Sequence, residues 1–561
     1  MRDNYPSIPN HLESYIVNQD YNSYTSINHS CWKFIMTISK SFFKDHAHES
    51  YLEGLEKTGI TINTIPRISD MDNKLRKIGW RAVPVRGFLP PTIFMQFQSH
   101  SILPIASDMR TLDHITYTPA PDIVHEAAGH SPIIVNESYS NYLKNYGQAA
   151  SKAISSKEDH AIYMAIRLLS DIKENPKSSK DDILMAEKSL EQSLKDNTYL
   201  SEAAYLSRLN WWTVEYGLVG NIKEPKIFGA GLLSSVGESY NAIYGDVKII
   251  PLTLDCINYS YDITEQQPQL FIAKDFDHLN DVLNEYKSKM AYRIGGIESI
   301  RKGIESQSVC TFKLDTGLEI SGLPIEVHGD TFEEFYRFKG PVQLCYENKE
   351  LEGHGGKYHQ DGFSSPICSP LIINQLQNAP IHEEINIKFQ SGIHLNGIIK
   401  DKLIINSKLL IVSFMDCKIT SGNKLLFDPD WGTFDLACGT SIDSVYGGPA
   451  DIEPYLQFMD LELPNKIKPN YLIKHSELDQ SLINLYDKIS NKLNDNELET
   501  IIAELDLDFS GDWLLRFELL ALLNPIKDSK LIDKLKLQIY DISKDDDDLY
   551  NSIKRGLDTI I

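Results

Sequence analysis

The chain contains no apolar run long enough to span a bilayer, and its start, Met1-Arg-Asp-Asn-Tyr-Pro, lacks the apolar core of a signal peptide. These absences set the expectation of a cytoplasmic protein with no membrane partner. Cysteine is sparse: seven in 561 residues, at 31, 256, 310, 345, 368, 417 and 438, odd in number and never spaced C-x-x-C. This fits reduced, mostly buried thiols better than a disulfide framework. Positive charge is also in deficit. Lys and Arg number 55 against 78 Asp and Glu, a formal charge of −23, which argues against nucleic acid as a general partner. The acidic run Asp545 to Asp548 reads as a solvated surface.

One further absence concerns the segment Pro119-Ala-Pro-Asp-Ile-Val-His-Glu-Ala-Ala-Gly-His130. A zinc hydrolase of the H-E-x-x-H kind needs its second histidine at i+4, and here that position is Gly129. His125 and His130 stand at i and i+5 instead. On a regular helix these directions differ by about 140°. A shared metal would therefore require a loosened turn, which Gly129 and Pro132 could supply. Two histidines with one distant carboxylate make the facial triad of non-heme Fe(II) oxygenases. Glu215, in Asn210-Trp-Trp-Thr-Val-Glu-Tyr-Gly217, is the candidate carboxylate, because a charge among large apolar residues needs a partner or a metal.

A third segment, Phe228-Gly-Ala-Gly-Leu-Leu-Ser-Ser-Val-Gly-Glu238, adds small residues, hydroxyls and a carboxylate. Upstream stand Tyr51-Leu-Glu-Gly-Leu-Glu-Lys-Thr-Gly59, Ile65-Pro-Arg67 and Gly79-Trp-Arg-Ala-Val-Pro-Val-Arg-Gly-Phe-Leu-Pro90. Together and in this order, from about residue 24 to about 305, the segments resemble the tetrahydropterin-dependent aromatic amino acid hydroxylases in their bacterial form. The resemblance implies a mostly helical catalytic basket. It implies Fe(II) held by His125, His130 and Glu215. A tetrahydropterin, tetrahydrobiopterin or a related reduced pterin, would lie against Gly87, Phe88, Leu89, Phe94 and Glu126. It also implies a substrate carboxylate clamped by Arg110, with Asp122 as partner and Thr118 and Ser234 as further donors. Pro121 and Trp211 would line the slot for the substrate ring. Pro90, Pro91, Pro104 and Asn210 depart from the family pattern. Trp211 and Ile263 favour L-phenylalanine as the substrate oxidised with O2. Tryptophan or another aromatic amino acid is the alternative within the family. A zinc hydrolase, or a non-catalytic ligand-binding or assembly protein on the same fold, is the alternative outside it.

The organisation expected is a catalytic region over 1–305, with an inserted helical hairpin near 150–200. A β-rich region over 306–462 and a helical C-terminal region over 463–561 follow. Phe312-Lys-Leu-Asp-Thr-Gly-Leu-Glu-Ile-Ser-Gly322 and, 75 residues on, Ile387-Lys-Phe-Gln-Ser-Gly-Ile-His-Leu-Asn-Gly397 alternate apolar and polar residues about a glycine. Both read as hairpins, and the β-rich region as two copies of one unit. His354, Gly355, Gly356 and His359 read as a plain loop, with no site assigned. Each region beyond residue 307 is expected to bury its own core, leaving a chain that ends near Gln307 soluble and active.

Overall fold

Helix ends in the first half follow side-chain chemistry. Thr25 accepts a hydrogen bond from the Asn28 amide while the Asn28 side chain reaches back to the Thr25 amide, which starts the helix Ser26–His46. Gly59, in the left-handed conformation at φ 84°, stops Ser50–Thr58. The computed structural model describes residues 7–86, 89–116, 121–174, 178–263, 266–328, 335–459, 477–489, 495–523 and 529–560.

The first half is helical around a core that includes Trp32, Ile35, Tyr51, Trp80, Tyr142 and Trp212. Its strands are short. β1 (Arg81–Val85) pairs in parallel with β2 (Ile102–Ala106). β3 (Leu218–Asn221), β4 (Glu224–Ile227), β5 (Lys248–Pro251) and β6 (Gln269–Ala273) form a sheet in the order β4-β3-β6-β5. Helices Lys157–Glu174 and Lys180–Asp196 occupy the stretch expected as a hairpin, joined by a Lys173–Glu187 ion pair at 3.0 Å.

From Cys310 the chain switches to strands. These are β7 (Cys310–Leu314), β8 (Leu318–His328), β9 (Phe335–Tyr346), β10 (Lys349–Glu350) and β11 (Gly362–Pro366). They are followed by β12 (Glu384–Lys388), β13 (Ile393–Ile405), β14 (Lys408–Ser421), β15 (Lys424–Phe427), β16 (Phe434–Ala437) and β17 (Ile442–Gly447). One sheet runs β10-β9-β8-β7-β17 with β11 on β9, and the other runs β12-β13-β14-β15 with β16 on β14. The two have the same internal plan. A hairpin turns at a glycine of positive φ, Gly317 at 95° or Gly392 at 81°; a long third strand follows, and a fifth strand returns to pair with it. About Gly392 the alternation is that of one buried face, Ile385, Ile387, Ile393 and Leu395, whereas the strands about Gly317 are buried on both faces, polar Thr311, Glu319 and Ser321 included.

The helical tail departs from expectation. It does not bury a core of its own. Leu485, Trp513, Phe517 and Ile553 belong to the same buried cluster as Trp32 and Phe34 of the first half. Phe34 meets Trp513 edge-on at 4.8 Å and Phe517 at 4.9 Å, while Lys33 pairs with Glu518. Arg555 lies 3.8 Å above the Tyr240 ring. The β region is tied down as well. Buried Glu202 accepts from the Ala291 amide at 2.7 Å and from Lys302 Nζ at 3.1 Å, fixing the helix Gly296–Ser306. That helix packs on β17 and β8, and its Ile300 lies in the β region's core. Leu485 and Ile489 of the helix Glu477–Ile489 are buried, but helical spacing in a sequence does not name the surface that covers such a face.

A chain ending at Gln307 is accordingly expected to aggregate, because it uncovers both Phe34 and the apolar face of Gly296–Ser306. In the full chain, Phe34→Ala should reduce unfolding free energy by about 3–5 kcal/mol. Urea titration of both proteins measures this. A loss below about 1 kcal/mol would contradict the shared core.

Candidate functional site

Both segments that carry the sequence-predicted ligands are wound as π-helix: Val124–His130 and Trp211–Glu215. A π turn closes i to i+5, so residues five apart stand one above the other. The Tyr216 amide donates to the Trp211 carbonyl at 2.9 Å in this way. Widening a turn orphans a carbonyl, and hydroxyls take up the slack. Ser131 Oγ donates to the Ala127 carbonyl and Thr213 Oγ1 to the Leu209 carbonyl, each at 2.6 Å. Gly129 makes room: a Cβ there would sit 2.7 Å from the Ala230 carbonyl oxygen.

The result is one cluster. His125 Nε2 and His130 Nε2 are 3.2 Å apart; Glu215 Oε2 is 3.3 Å from the first and Oε1 3.5 Å from the second. Metal–ligand bonds of about 2.0–2.2 Å at angles between 90° and 109° separate neighbouring ligands by about 2.8–3.6 Å. These three side chains therefore fit a single ion. Ser234 Oγ, which donates to the Ala230 carbonyl at 2.8 Å, lies 3.0 Å from His125 Nδ1. It thus accepts from Nδ1–H and turns Nε2 toward His130 and Glu215. Asn210, five residues before Glu215 and so on the same face of the π turn, donates from its amide to Glu215 Oε1 at 3.4 Å.

Electrostatics follow from burial. Burial would lower His125, but the hydrogen bond and charge of Glu215, with Glu126 and Asp122 behind it, raise it to about 9. His130 is lowered to about 4, first by burial, with Glu215 opposing and His125 reinforcing. Glu126 is raised to about 8, chiefly by burial. Its Oε2 has no hydrogen-bond partner, and it stands 3.9 Å from His130 Nε2. An orphaned buried carboxyl oxygen beside a ligand pair asks for a donor from outside the protein. The N–H-rich edge of a reduced pterin has that chemistry.

Arg110 is buried and gripped at two points by Asp122, Nε to Oδ2 at 2.7 Å and Nη2 to Oδ1 at 2.8 Å. Asp122 also accepts from the Arg110 and His125 amides, each at 3.1 Å. Burial would raise this carboxyl, but the Arg110 charge and the four hydrogen bonds hold it below its ordinary range.

Among the remaining predicted residues, Phe94 reaches the site, its ring centroid 6.4 Å from that of His130. Leu89 instead lies in a small core with Val83, Ile93 and Phe97. Pro121 is half-buried at the start of the His125 segment. Trp211 shares the π turn of Glu215 and stacks between Tyr261, at 4.2 Å, and Tyr216, at 4.7 Å. Ser234, expected as a substrate donor, is placed against His125. Gly87, Phe88 and Thr118 lie outside the described residues. Sequence reasoning missed Asn210 as a holder of Glu215; the spacing of five, already noted for the histidines, was the available signal. It also missed Tyr261 and Gln267, whose Oε1 accepts from Trp211 Nε1 at 3.2 Å; no local pattern marks them.

Two histidines and a carboxylate on one side of a site define a non-heme metal centre of the facial-triad class. Residues 15–166 and 185–296 match the family described as biopterin-dependent aromatic amino acid hydroxylase. The relatives include phenylalanine-4-hydroxylase of Mesorhizobium japonicum, 28% identical over 271 residues, covering 48% of this chain and 82% of that protein. The enzyme of the same name from Pseudomonas aeruginosa is 25% identical over 268 residues, covering 47% and 84%. A crystal structure of Chromobacterium violaceum phenylalanine hydroxylase with iron(III) and 7,8-dihydrobiopterin matches with TM-score 0.39 and 22% identity, covering 50% of this chain and 92% of that one.

Gly129→Ala should push the His130 turn off Ala230 without unfolding the chain. Metal affinity should fall about 10–100-fold, the range for residues that orient ligands. Iron retained after dialysis, read beside circular dichroism, measures this. Unchanged retention would show that the close approach does not position His130.

Proposed function

We propose that this protein hydroxylates L-phenylalanine to L-tyrosine with O2, Fe(II) and a tetrahydropterin. The observation that carries the reading is the convergence of His125, His130 and Glu215 to within 3.2–3.5 Å of one another, on two π turns. The iron, when bound, activates dioxygen, and the reduced pterin supplies the two further electrons.

Each side chain then has a task. His125, His130 and Glu215 hold the metal from one side, and Ser234 and Asn210 aim them. Glu126, whose buried Oε2 has no protein donor, accepts from the pterin. Phe94 offers an aromatic face near His130 for the flat pterin ring, and Gly87 and Phe88 are the further pterin contacts of this reading. Arg110 holds the substrate carboxylate. Asp122 engages two of the five N–H groups of its guanidinium and fixes the plane of the fork. Thr118 and Pro121, on the segment that leads to His125, and Trp211 border the substrate. The packed aromatic and apolar walls keep bulk water from the reacting ring. A cytoplasmic location belongs to the same reading, supported by seven unpaired, buried cysteines.

The test is incubation of the purified chain with Fe(II), a reduced pterin and each aromatic amino acid, with products identified by mass spectrometry. Tyrosine from phenylalanine is expected; no hydroxylated product from any of the three refutes the proposal. His125→Ala, His130→Ala and Glu215→Ala should each abolish turnover together with iron retention, and a fully active, iron-replete Glu215→Ala would remove that residue from the ligand set.

Arg110→Lys should lose roughly 1.5–3 kcal/mol of charge-assisted hydrogen bonding. That is about a ten- to hundredfold drop in kcat/KM for phenylalanine. Phenethylamine, which lacks the carboxylate, should show no such sensitivity. Equal losses for both substrates would make Arg110 structural.

A further inference from the structure

The loop between β10 and β11 carries His354 and His359, again five residues apart, with no carboxylate-histidine set of known spacing beside them; the flanking Glu352 and Asp361 are exposed. The fold supplies a carboxylate from the second sheet. Asp435 on β16 comes to the pair, and the ligating atoms His354 Nδ1, His359 Nε2 and an Asp435 carboxylate oxygen all lie within 4.8 Å of one another. The two nitrogens are 3.3 Å apart. Ligands on a zinc-like ion with bonds of about 2.0–2.1 Å at tetrahedral angles stand about 3.3–3.4 Å apart.

The site is built rather than accidental. The His354 carbonyl accepts from the Leu344 amide at 2.9 Å and the His359 carbonyl from the Val342 amide at 3.1 Å, which pins both histidines to β9. A Cβ on Gly356 would strike the Phe458 ring at 2.4 Å, so the loop needs that glycine to lie this close. Across the β14–β16 register, Ser413 Oγ donates to Asp435 Oδ1 at 2.5 Å and fixes the carboxylate. The stacking of His354 on His359 is completed by the edge of Phe363 against His359 at 5.3 Å.

The buried carboxylate adds to the geometry. Asp435 is only 4% exposed, and among the described residues no Lys or Arg forms an ion pair with it. A buried carboxylate without a cation is costly. A divalent ion held between the two facing imidazole nitrogens would compensate it. Half-exposed His354 leaves an approach from outside, and the Tyr358 hydroxyl beside it is hydrogen-bonded to Asp435.

We propose that His354, His359 and Asp435 form a second metal site, specific for a divalent first-row transition ion of the zinc type, which clips the β10–β11 loop of one sheet to β16 of the other. Imidazole and carboxylate donors with no thiolate among them suit such an ion, and three protein ligands leave a coordination position for water or another small ligand.

The experiment strips the full-length chain with a chelator, reloads it with zinc, removes free metal by gel filtration and counts zinc per chain. The expected counts are two for the wild type and one each for Asp435→Asn, His359→Asn and His354→Gln. His125→Ala should also retain one. Phenylalanine turnover by Asp435→Asn should match the wild type, which separates this site from the first. One zinc per wild-type chain, lost in His125→Ala and kept in Asp435→Asn, overturns the proposal, as do two zincs in all three β-region variants. If a variant aggregates, the wild-type count and the His125→Ala count still decide.

Discussion

The geometry of the catalytic half depends on a widened helical turn. In an α-helix, His125 and His130 would face about 140° apart and could not share an ion. The π turn removes that angle. It exists because several small features agree: Asp122 accepts from the His125 amide at its start, Ser131 occupies the carbonyl that widening orphans, and Gly129 lets the turn lie against Ala230. The segment of Glu215 repeats the device, with Thr213 in the role of Ser131 and Asn210 reaching the carboxylate across the turn. π turns are costly and rare outside functional sites, and two facing each other mark this one.

A second consequence is that the buried Arg110 and the histidine cluster share a carboxylate. Asp122 grips the Arg110 fork and the His125 segment at once, so displacement of the guanidinium transmits to the ligand through a single buried side chain. Ser234 adds another link, since its hydroxyl meets His125 while its carbonyl stands 3.4 Å from Arg110 Nη1. In the proposed reading, the substrate clamp and the metal ligands are therefore one hydrogen-bonded body.

Much of this was legible in the sequence, and the limits are physical. The three ligand candidates stood out because their residue types and order are restrictive. The turn that unites them did not, because nothing in a single sequence distinguishes a π turn from an α turn except the spacing it serves. The hairpins about Gly317 and Gly392 were readable from a period of two and a turn residue, both local signals. The shared plan of the two sheets depends on β11 and β16 returning to distant partners. The tail's docking on Phe34 was illegible for the same reason: amphipathic spacing reports a buried face and not its cover. His354 and His359 read as a bare loop because Asp435 lies 76 residues beyond His359 and only the packing of the two sheets brings it near.

The parts of the chain are thus more interdependent than their compositions suggest, with the β region resting on Gly296–Ser306 and the tail on Ser26–His46. The central claim remains that the two π turns build an oxygen-activating centre. Isotope labelling tests it most directly. With phenylalanine, Fe(II), a reduced pterin and 18O2 in ordinary water, the account predicts tyrosine carrying one 18O atom, and unlabelled tyrosine when the label is in the water instead. Tyrosine whose new oxygen comes from water would contradict it.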